Sequence, residues 1–409
     1  MRHALLLAQR FDKRDGRHLR VRAALREAGY NVDSLAFDSG GDENRDPETR
    51  DLRPKASMLL MLFSQLVMAS VITGYFMAFY PSLMTIIFWL LISSAVFFGS
   101  TLGGSIRNMI LHRIAEFLAR IETAKRRYKI IWTTDPETLR LATRLANCND
   151  ARLIFDAHEY YREESPENEK RKNWVIREEN NAIDRVNYLV TVNDQFGSFY
   201  KKVYPACDPV VIRNAVDPQT IDKYSSPLRT IVGAEPTHKI ILYHGSMRSL
   251  RHLRELAGAS IHLPQNWKMV FLGIGPIRSE LERISHRLFF LDPVPYDELF
   301  KWLAGADLGA ILYEGFGQNQ QYCSPNKLYE YIGCGIPILT TDILTLAHYS
   351  ETLGCGFIIK KPTQHSIAEF VAGINVEQLN RASENCKIIA KQFSWELEKK
   401  KIMKIISDV

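Results

Sequence analysis

Apolar residues occur along most of the chain in short runs that alternate with helical patterns. This alternation is typical of βα units and predicts parallel sheets covered by helices. The runs form two series, separated by a polar stretch, Asp217–His238, with three prolines and a glycine. We therefore predict two doubly wound α/β domains, 1–216 and 239–392, joined by a linker at 217–238 and followed by a closing helix in 393–409. The predicted strands are Ala4–Ala8, Asn31–Phe37, Ile130–Thr133, Leu153–Asp156, Tyr188–Val192, Val210–Ile212, Ile240–Tyr243, Lys268–Leu272, Leu288–Leu291, Leu308–Leu312, Ile336–Thr340 and Gly356–Ile359.

One long apolar stretch interrupts the first series. Residues 56–106 contain no Asp, Glu, Lys, Arg or His, and Pro81 divides them into Met58–Phe79 and Leu83–Gly104. Each half has 22 residues, enough for a helix to cross a hydrocarbon core of about 30 Å. The stretch predicts a membrane hairpin that spans the bilayer or dips into it, although a helical pair buried in the domain would have a similar composition.

The segments on both sides of this hairpin are basic. The flanking cations are Arg50, Arg53, Lys55, Arg107, His112 and Arg113. Because cytoplasmic flanks are enriched in Lys and Arg, we expect both ends at the cytoplasmic face of the inner membrane. Apolar residues at helical spacing then predict an amphipathic helix at 106–129, which would lie on an anionic leaflet or pack on a sheet.

Composition adds a few exclusions. The chain has 409 residues and a formal charge of +6, with 46% hydrophobic and 24% charged residues. These values exclude a disordered chain or a fibrous repeat, and so mild a charge does not call for a nucleic-acid partner. The six cysteines show no Cys-x-x-Cys spacing, which excludes a zinc ribbon.

The segment from Ser324 to Pro337 is the most informative. Its Ser-Pro start predicts a helix that is capped by Ser324 and ends before the following strand. Lys327 falls in the first turn, where a cation opposes the helix dipole, and this cost is consistent with a bound phosphate. Glu330 shares a face with Asn326 and Lys327, where its carboxylate could accept two hydrogen bonds from a ribose diol.

Two glycine-containing turns favour a phosphate ligand as well. In the turn after strand Ile240–Tyr243, Gly245 allows close backbone approach, and Arg248 or Arg251 could reach a pyrophosphate. Gly273-Ile274-Gly275 ends the next strand and could shape a nucleotide pocket. Because these segments follow parallel strands, we expect them at one edge of the second sheet.

Together these motifs resemble those of family 4 glycosyltransferases of the bacterial surface-polysaccharide type. Members of this family have the GT-B fold, in which two Rossmann-like domains face each other across a cleft. The resemblance covers nearly all of the chain except 45–127. It rests on Phe155–Glu159, Val211–Asp217, Tyr243–Gly245, Arg251, Leu272–Pro276, Pro295–Leu299, Ser324–Lys327, Glu330, Gly333–Pro337 and Phe393–Glu396.

The resemblance implies roles for individual residues. Arg251 and Lys327 would bind the donor diphosphate and stabilise the departing nucleotide, and His158 would face the donor sugar. Glu330 would hold the ribose, and the backbone around Val294–Tyr296 would meet the base. The implied donor-binding set is Gly245, Gly273, Val294, Ser324, Asn326 and Glu330. The resemblance also implies retention of the anomeric configuration without a bound metal or cofactor.

Two departures limit what can be carried over. Tyr322 stands eight residues before Glu330, where many family members have a glutamate, so the contacts to the hydroxyls of the donor sugar are not implied. Glu314-Gly315-Phe316-Gly317 resembles the start of that motif at a different spacing. The turn Gln9–Gly16 lacks the family's glycine-rich loop, so acceptor binding is not implied either.

A metal site is the alternative reading of one strand end. Asp156, His158 and Glu159 follow each other closely and could coordinate a cation. No further ligand cluster is visible in the sequence, so we expect no metal there.

We predict a membrane-attached glycosyltransferase that moves a sugar from a nucleotide-sugar donor to a lipid-linked polyprenyl acceptor in cell-surface polysaccharide synthesis. Two alternatives remain open. One is a nucleotide-sugar 2-epimerase on the same fold, and the other is a non-catalytic membrane scaffold with a degenerate site, for which Tyr322 is the best support.

Overall fold

The computed structural model describes residues 2–10, 15–38, 48–51, 116–164 and 167–408. The strands are β1 (Arg2–Arg10), β2 (Tyr30–Asp38), β3 (Thr49–Asp51), β4 (Tyr128–Thr133), β5 (Arg152–Ala157), β6 (Tyr188–Thr191), β7 (Val210–Val211), β8 (Lys239–His244), β9 (Trp267–Leu272), β10 (Leu288–Leu291), β11 (Leu308–Ile311), β12 (Ile338–Thr341) and β13 (Gly356–Ile359). The α-helices are α1 (Gly16–Glu27), α2 (Pro136–Asn149), α3 (Glu169–Ala182), α4 (Asp194–Val203), α5 (Pro227–Ile231), α6 (Leu253–Ala259), α7 (Arg278–Leu281), α8 (Tyr296–Leu303), α9 (Gly317–Gln321), α10 (Asn326–Gly333), α11 (Leu344–Ala347), α12 (Gln364–Gly373), α13 (Val376–Gln392) and α14 (Trp395–Ser407). Residues 116–123 are also helical.

The first sheet has seven parallel strands in the order β3-β2-β1-β4-β5-β6-β7. Both of its faces are buried, which explains the continuous apolar runs. Along β1, Leu5 and Leu7 pack into one core, and Ala4, Leu6 and Ala8 pack into the core on the opposite face. The strand order reverses between β1 and β4, and this reversal opens a crevice at their carboxyl ends.

The second sheet has six parallel strands in the order β10-β9-β8-β11-β12-β13. Its order reverses between β8 and β11, so it too has a crevice at the carboxyl ends of its strands. Ile240 and Leu242 of β8 enter one core, whereas Ile241 and Tyr243 enter the other. The two sheets thus have the doubly wound architecture that the apolar pattern predicts.

The last helix, α14, returns to the first sheet. Its residues Ile402, Ile405 and Ile406 are buried in the core beneath β1. The Nζ atom of Lys399 also lies 3.1 Å from a carboxylate oxygen of Glu27 at the end of α1. The C-terminal segment therefore ties the end of the chain to the first domain.

Three features differ from the sequence prediction. The helix predicted at 106–129 ends at residue 123, because Tyr128 begins β4 and its hydroxyl donates to Asp33 at 2.8 Å. The stretch 217–238 is partly helical, and Leu228 of α5 is buried in the second core. The pattern also misses β3, which has only three residues and pairs with β2 alone among the described strands.

The predicted hairpin at 56–106 and the start of the helix predicted at 106–129 lie outside the described residues. Among the helices that the structure does describe, none combines the length and apolar character needed to cross a bilayer.

Candidate active site

A cavity of about 980 Å³ lies between the carboxyl ends of the two sheets. The first domain contributes loops that follow β1, β4 and β5, and the second contributes loops that follow β8, β9, β10 and β11. The cavity therefore lies at both switch points, where doubly wound sheets bind their ligands. The predicted site residues that line it are His158, Gly245, Arg251, Gly273, Val294, Asn326, Lys327 and Glu330.

Arg251 and Lys327 converge on one side chain, Tyr243. The Lys327 Nζ atom lies 4.1 Å from the centroid of the Tyr243 ring. The Arg251 guanidinium donates to the Tyr243 hydroxyl at 3.2 Å and to the Ser246 carbonyl at 2.9 Å. Within the described part of the chain, neither cation has a carboxylate at ion-pair distance. Two basic side chains thus face the cavity, and neither forms an ion pair with a described carboxylate.

Lys327 is buried, with only 8% of its surface exposed. Burial, followed by the charge of Arg251, lowers the pKa of Lys327 well below its usual value, and Glu330 acts in the opposite direction. A buried cation without an ion pair destabilises a protein. An anionic ligand would offset this cost, so the position of Lys327 favours binding of a phosphate group.

Two glycines bring bare backbone to the wall of the cavity. Gly245 has φ = +107° and Gly273 has φ = +147°, conformations that other residues rarely adopt. A Cβ atom on Gly273 would lie only 2.2 Å from the Gly245 carbonyl oxygen. The turns after β8 and β9 therefore pack backbone against backbone, and this contact requires glycine.

Glu330 lies deep in the cavity wall and is 4% exposed. Burial raises the pKa of its carboxyl to about 7, although Arg20, Lys327 and a hydrogen bond from Tyr296 each act to lower it. The His244 Nε2 atom lies 3.4 Å from a Glu330 carboxyl oxygen. Burial, and then the Lys327 charge, lowers the pKa of His244 well below its usual value.

Tyr296 joins the two domains across the cavity. Its hydroxyl accepts a hydrogen bond from Arg20 Nη1 at 2.6 Å, and its ring lies so close to Gly16 that a Cβ atom there would be 2.5 Å away. The family resemblance implies that the backbone around Val294–Tyr296 meets the base, but it implies no role for the Tyr296 side chain. Nothing in the local pattern signals a contact between residues 276 positions apart.

His158 faces the cavity from the first domain, and Tyr161 holds its ring. The Tyr161 hydroxyl lies 3.2 Å from His158 Nδ1 and donates to the Thr134 carbonyl at 2.8 Å. Asp156, by contrast, is fully buried. Both of its oxygens accept from Arg17, at 2.6 and 2.9 Å, so this carboxylate anchors the fold.

A charged pair in the first domain was missed from the sequence. Asp15 caps α1, and its carboxylate lies 2.7 Å from His18 Nδ1. Burial by itself lowers the pKa of His18. The carboxylates of Asp15, Asp135 and Asp156 outweigh this effect, so the pKa of His18 is raised. Asp15 and His18 both line the cavity. The only sequence signal is an Asp three residues before a His in the turn after β1.

The prediction that Ser324 caps the following helix is wrong. The helix α10 begins at Asn326 with Pro325 in the cap position, and it receives no side-chain cap. The Ser324 hydroxyl is instead 2.9 Å from the Tyr329 hydroxyl, and its carbonyl accepts from Asn214 at 2.9 Å. Ser324 lines a smaller neighbouring cavity and not the main one.

Tyr322, at the position of the missing glutamate, contacts the first domain. Its ring packs edge-on against Phe199 with 4.9 Å between centroids, and its carbonyl accepts from Asn193 at 2.7 Å. This residue therefore helps to hold the two domains together.

Residues 238–374 match the protein-family model described as glycosyl transferases group 1. This match covers most of the second domain and none of the first. No curated protein matches the chain in sequence. The narrower assignment to family 4 stays a prediction.

Solved structures resemble the whole chain at low sequence identity. HepE of Anabaena, in complex with UDP and glucose, is similar with a TM-score of 0.66 and 14% identity over 100% of both chains. Sucrose-phosphate synthase of Thermosynechococcus elongatus is similar with a TM-score of 0.65 and 13% identity over 100% of this chain and 99% of its own. WaaG, a glycosyltransferase involved in lipopolysaccharide biosynthesis, has a TM-score of 0.60 and 15% identity over 98% of both chains. These similarities confirm the predicted GT-B fold of two facing α/β domains.

Proposed function

We propose that this protein transfers a sugar from a UDP-sugar donor to a lipid-linked acceptor, with retention of the anomeric configuration. The convergence of Arg251 and Lys327 on Tyr243, inside a cavity between two doubly wound sheets, carries the proposal. The match of residues 238–374 to the group 1 glycosyl transferase model supports a nucleotide-sugar donor, and the UDP present in the HepE structures supports a uridine nucleotide.

The chemistry follows from where charge develops. When a nucleoside diphosphate leaves a sugar carbon, negative charge accumulates on the phosphates and positive charge on the sugar. Arg251 and Lys327 are fixed before the reaction begins, so they stabilise the departing diphosphate without reorganisation. These two side chains supply positive charge in the place where a metal ion would otherwise act, and we propose that transfer is metal-independent.

The first domain would supply the opposite wall. His158, held by Tyr161, lines the cavity from the first domain and would face the sugar at the transfer point. Asp15 and His18 line the same side, and an acceptor hydroxyl that enters along this wall would meet hydrogen-bonding groups before it reaches the sugar.

The lipid-linked acceptor and the membrane location rest on the sequence. The uncharged stretch 56–106 falls between β3 and β4 in the sequence of the first domain. Helical residues 116–123, which follow it, leave Phe117 62% exposed and Ile121 52% exposed. Apolar side chains at this spacing on a surface helix favour contact with a membrane interface. We therefore propose attachment to the cytoplasmic face of the inner membrane and a role in surface polysaccharide synthesis.

A transfer assay tests the catalytic proposal. Membranes that contain the protein are incubated with labelled UDP-sugars and a polyprenyl-linked acceptor. We expect Lys327→Ala and Glu330→Ala to abolish the labelled lipid product. Lys360→Ala, at an exposed lysine of the same domain, should leave product formation unchanged. Undiminished transfer by Lys327→Ala would overturn the assigned site.

A vesicle flotation assay tests the location. The full chain should float with vesicles of phosphatidylethanolamine and phosphatidylglycerol and stay bound in high salt, because apolar insertion is not screened. Complete release by salt would contradict the predicted hairpin.

A further inference from the structure

Arg20 of α1 is a cation of the first domain that reaches across to the second. Its Nη1 atom donates to the Tyr296 hydroxyl at 2.6 Å. The Arg20 Cζ atom also lies 5.4 Å from the centroid of the Trp395 ring, at the start of α14. Among the described residues, no carboxylate lies at ion-pair distance from Arg20. The group that fixes Arg20 across the cleft is thus a hydroxyl and not a carboxylate.

Tyr296 stands between Arg20 and Glu330. Its hydroxyl accepts from Arg20 and forms a hydrogen bond with the Glu330 carboxylate. Burial raises the pKa of Tyr296, so the hydroxyl keeps the proton that it donates. The ring is closely packed, because a Cβ atom on Gly16 would lie 2.5 Å from the hydroxyl oxygen. One hydroxyl therefore joins a cation of the first domain to a carboxylate of the second.

Titratable groups surround Glu330 from both domains. They are Asp15 and Arg20 from the first domain, and His244, Tyr296, Lys327, Tyr331 and Cys334 from the second. Burial raises the pKa of Glu330, and Asp15 acts in the same direction. Arg20, and to a smaller extent Lys327, acts to lower it. The ionised form of Glu330 thus depends on a residue of the opposite domain.

A ribose diol offers two O–H donors to the residue that binds it. An ionised carboxylate can accept from both, whereas a protonated carboxyl uses one of its oxygens as a donor. We propose that Arg20 is a positioning residue for the nucleotide, which acts through the Tyr296 hydroxyl to hold Glu330 as the carboxylate that accepts the ribose diol. This inference rests on the proposed function, which assigns the cavity to a UDP-sugar, and on the role toward the ribose that the family resemblance implies for Glu330.

Calorimetric titrations with UDP and 2′-deoxy-UDP test the inference. The two ligands share the base and the diphosphate, so the ratio of their affinities isolates the 2′-hydroxyl contact from the titration of Lys327 and of the phosphates. The preference of the wild type for UDP should grow between about pH 6 and about pH 9, as Glu330 loses its proton. It should reach at least about tenfold, because a charge-assisted hydrogen bond is formed.

Two variants remove the two parts of this contact. At about pH 7, Arg20→Met should prefer UDP at least about threefold less than the wild type, because Glu330 then loses its proton only at higher pH. At about pH 9 the two preferences should converge, since Glu330 is ionised in both proteins. Tyr296→Phe should show the same pattern. The control is Arg26→Met, which removes an exposed guanidinium of α1 that pairs with Glu48 and lines neither described cavity. It should follow the wild type.

The outcomes separate this inference from the proposed function. If UDP binds but the wild-type preference is the same at every pH, the inference is overturned and the proposed function stands. The same holds if Arg20→Met and Tyr296→Phe follow the wild-type profile. A preference that falls equally at every pH would show a merely structural role for Arg20 and would also overturn the inference. If UDP does not bind the wild type, the proposed function fails first. If Arg20→Met does not fold, Tyr296→Phe decides.

Discussion

Glu330 should make the ligand-free protein less stable as the pH rises. Its pKa rises on folding from 4.5 to about 7, mainly through burial. Between these values the folded state keeps a proton that the unfolded state has released, so the free energy of unfolding falls as the pH increases. At about 1.4 kcal/mol for each pH unit, the loss approaches about 3 kcal/mol above pH 7. Glu330→Gln keeps the size of the side chain and removes this loss.

Urea unfolding of wild type and Glu330→Gln, followed by fluorescence at about pH 5 and about pH 9, measures the effect. The two proteins should be close in stability at the lower pH, and the variant should be more stable by about 3 kcal/mol at the higher pH. Glu369→Gln, at an exposed position of α12, makes the same chemical change and should give the same small difference at both values. An advantage of Glu330→Gln over the wild type that is no larger at high pH than at low pH would refute the reasoning.

Two further substitutions test the contact between the domains at Tyr322 and the glycine turn at Gly245. Tyr322→Ala removes the ring that packs on Phe199. We expect the free energy of unfolding, followed by thermal denaturation, to fall by about 1–3 kcal/mol, and proteolysis between the domains to become faster. An unchanged melting profile would show that this contact does not hold the domains together. Gly245→Ala imposes φ = +107° on a residue with a side chain and places a methyl group 3.5 Å from Lys327 Nζ. It should cost about 1–2 kcal/mol of stability and weaken UDP binding, and wild-type UDP affinity would argue against close ligand approach at this turn.

The core strands were predictable because both faces of a parallel sheet are buried. A continuous apolar run has few other interpretations in such a chain, and β10 (Leu288–Leu291) and β13 (Gly356–Ile359) have the predicted bounds. This reasoning does not predict β3, because Thr49–Asp51 is short and polar and is a strand only through its pairing with β2. Local hydrophobic pattern carries no information about such an edge strand.

The candidate site likewise contains residues that the sequence predicts and contacts that it does not. Arg251 and Lys327 follow strand ends within short motifs, so sequence alone places them at one edge of the second sheet. The contact of Arg20 with Tyr296 depends on how two domains face each other, and no local pattern encodes it. Ser324 shows the limit of a capping rule, since a nearby tyrosine hydroxyl competes successfully for its side chain.

The central claim is that Lys327 is buried beside Arg251 because the two side chains bind a diphosphate. Calorimetric titration of UDP into the wild type and into Lys327→Met tests it most directly. We predict that the wild type binds UDP and that the variant binds at least about tenfold more weakly, because a charge-assisted contact is lost. We also predict that the ligand-free variant unfolds at a higher temperature, because methionine removes the cost of burying a lysine without an ion pair. Equal UDP affinity in the two proteins would contradict the claim.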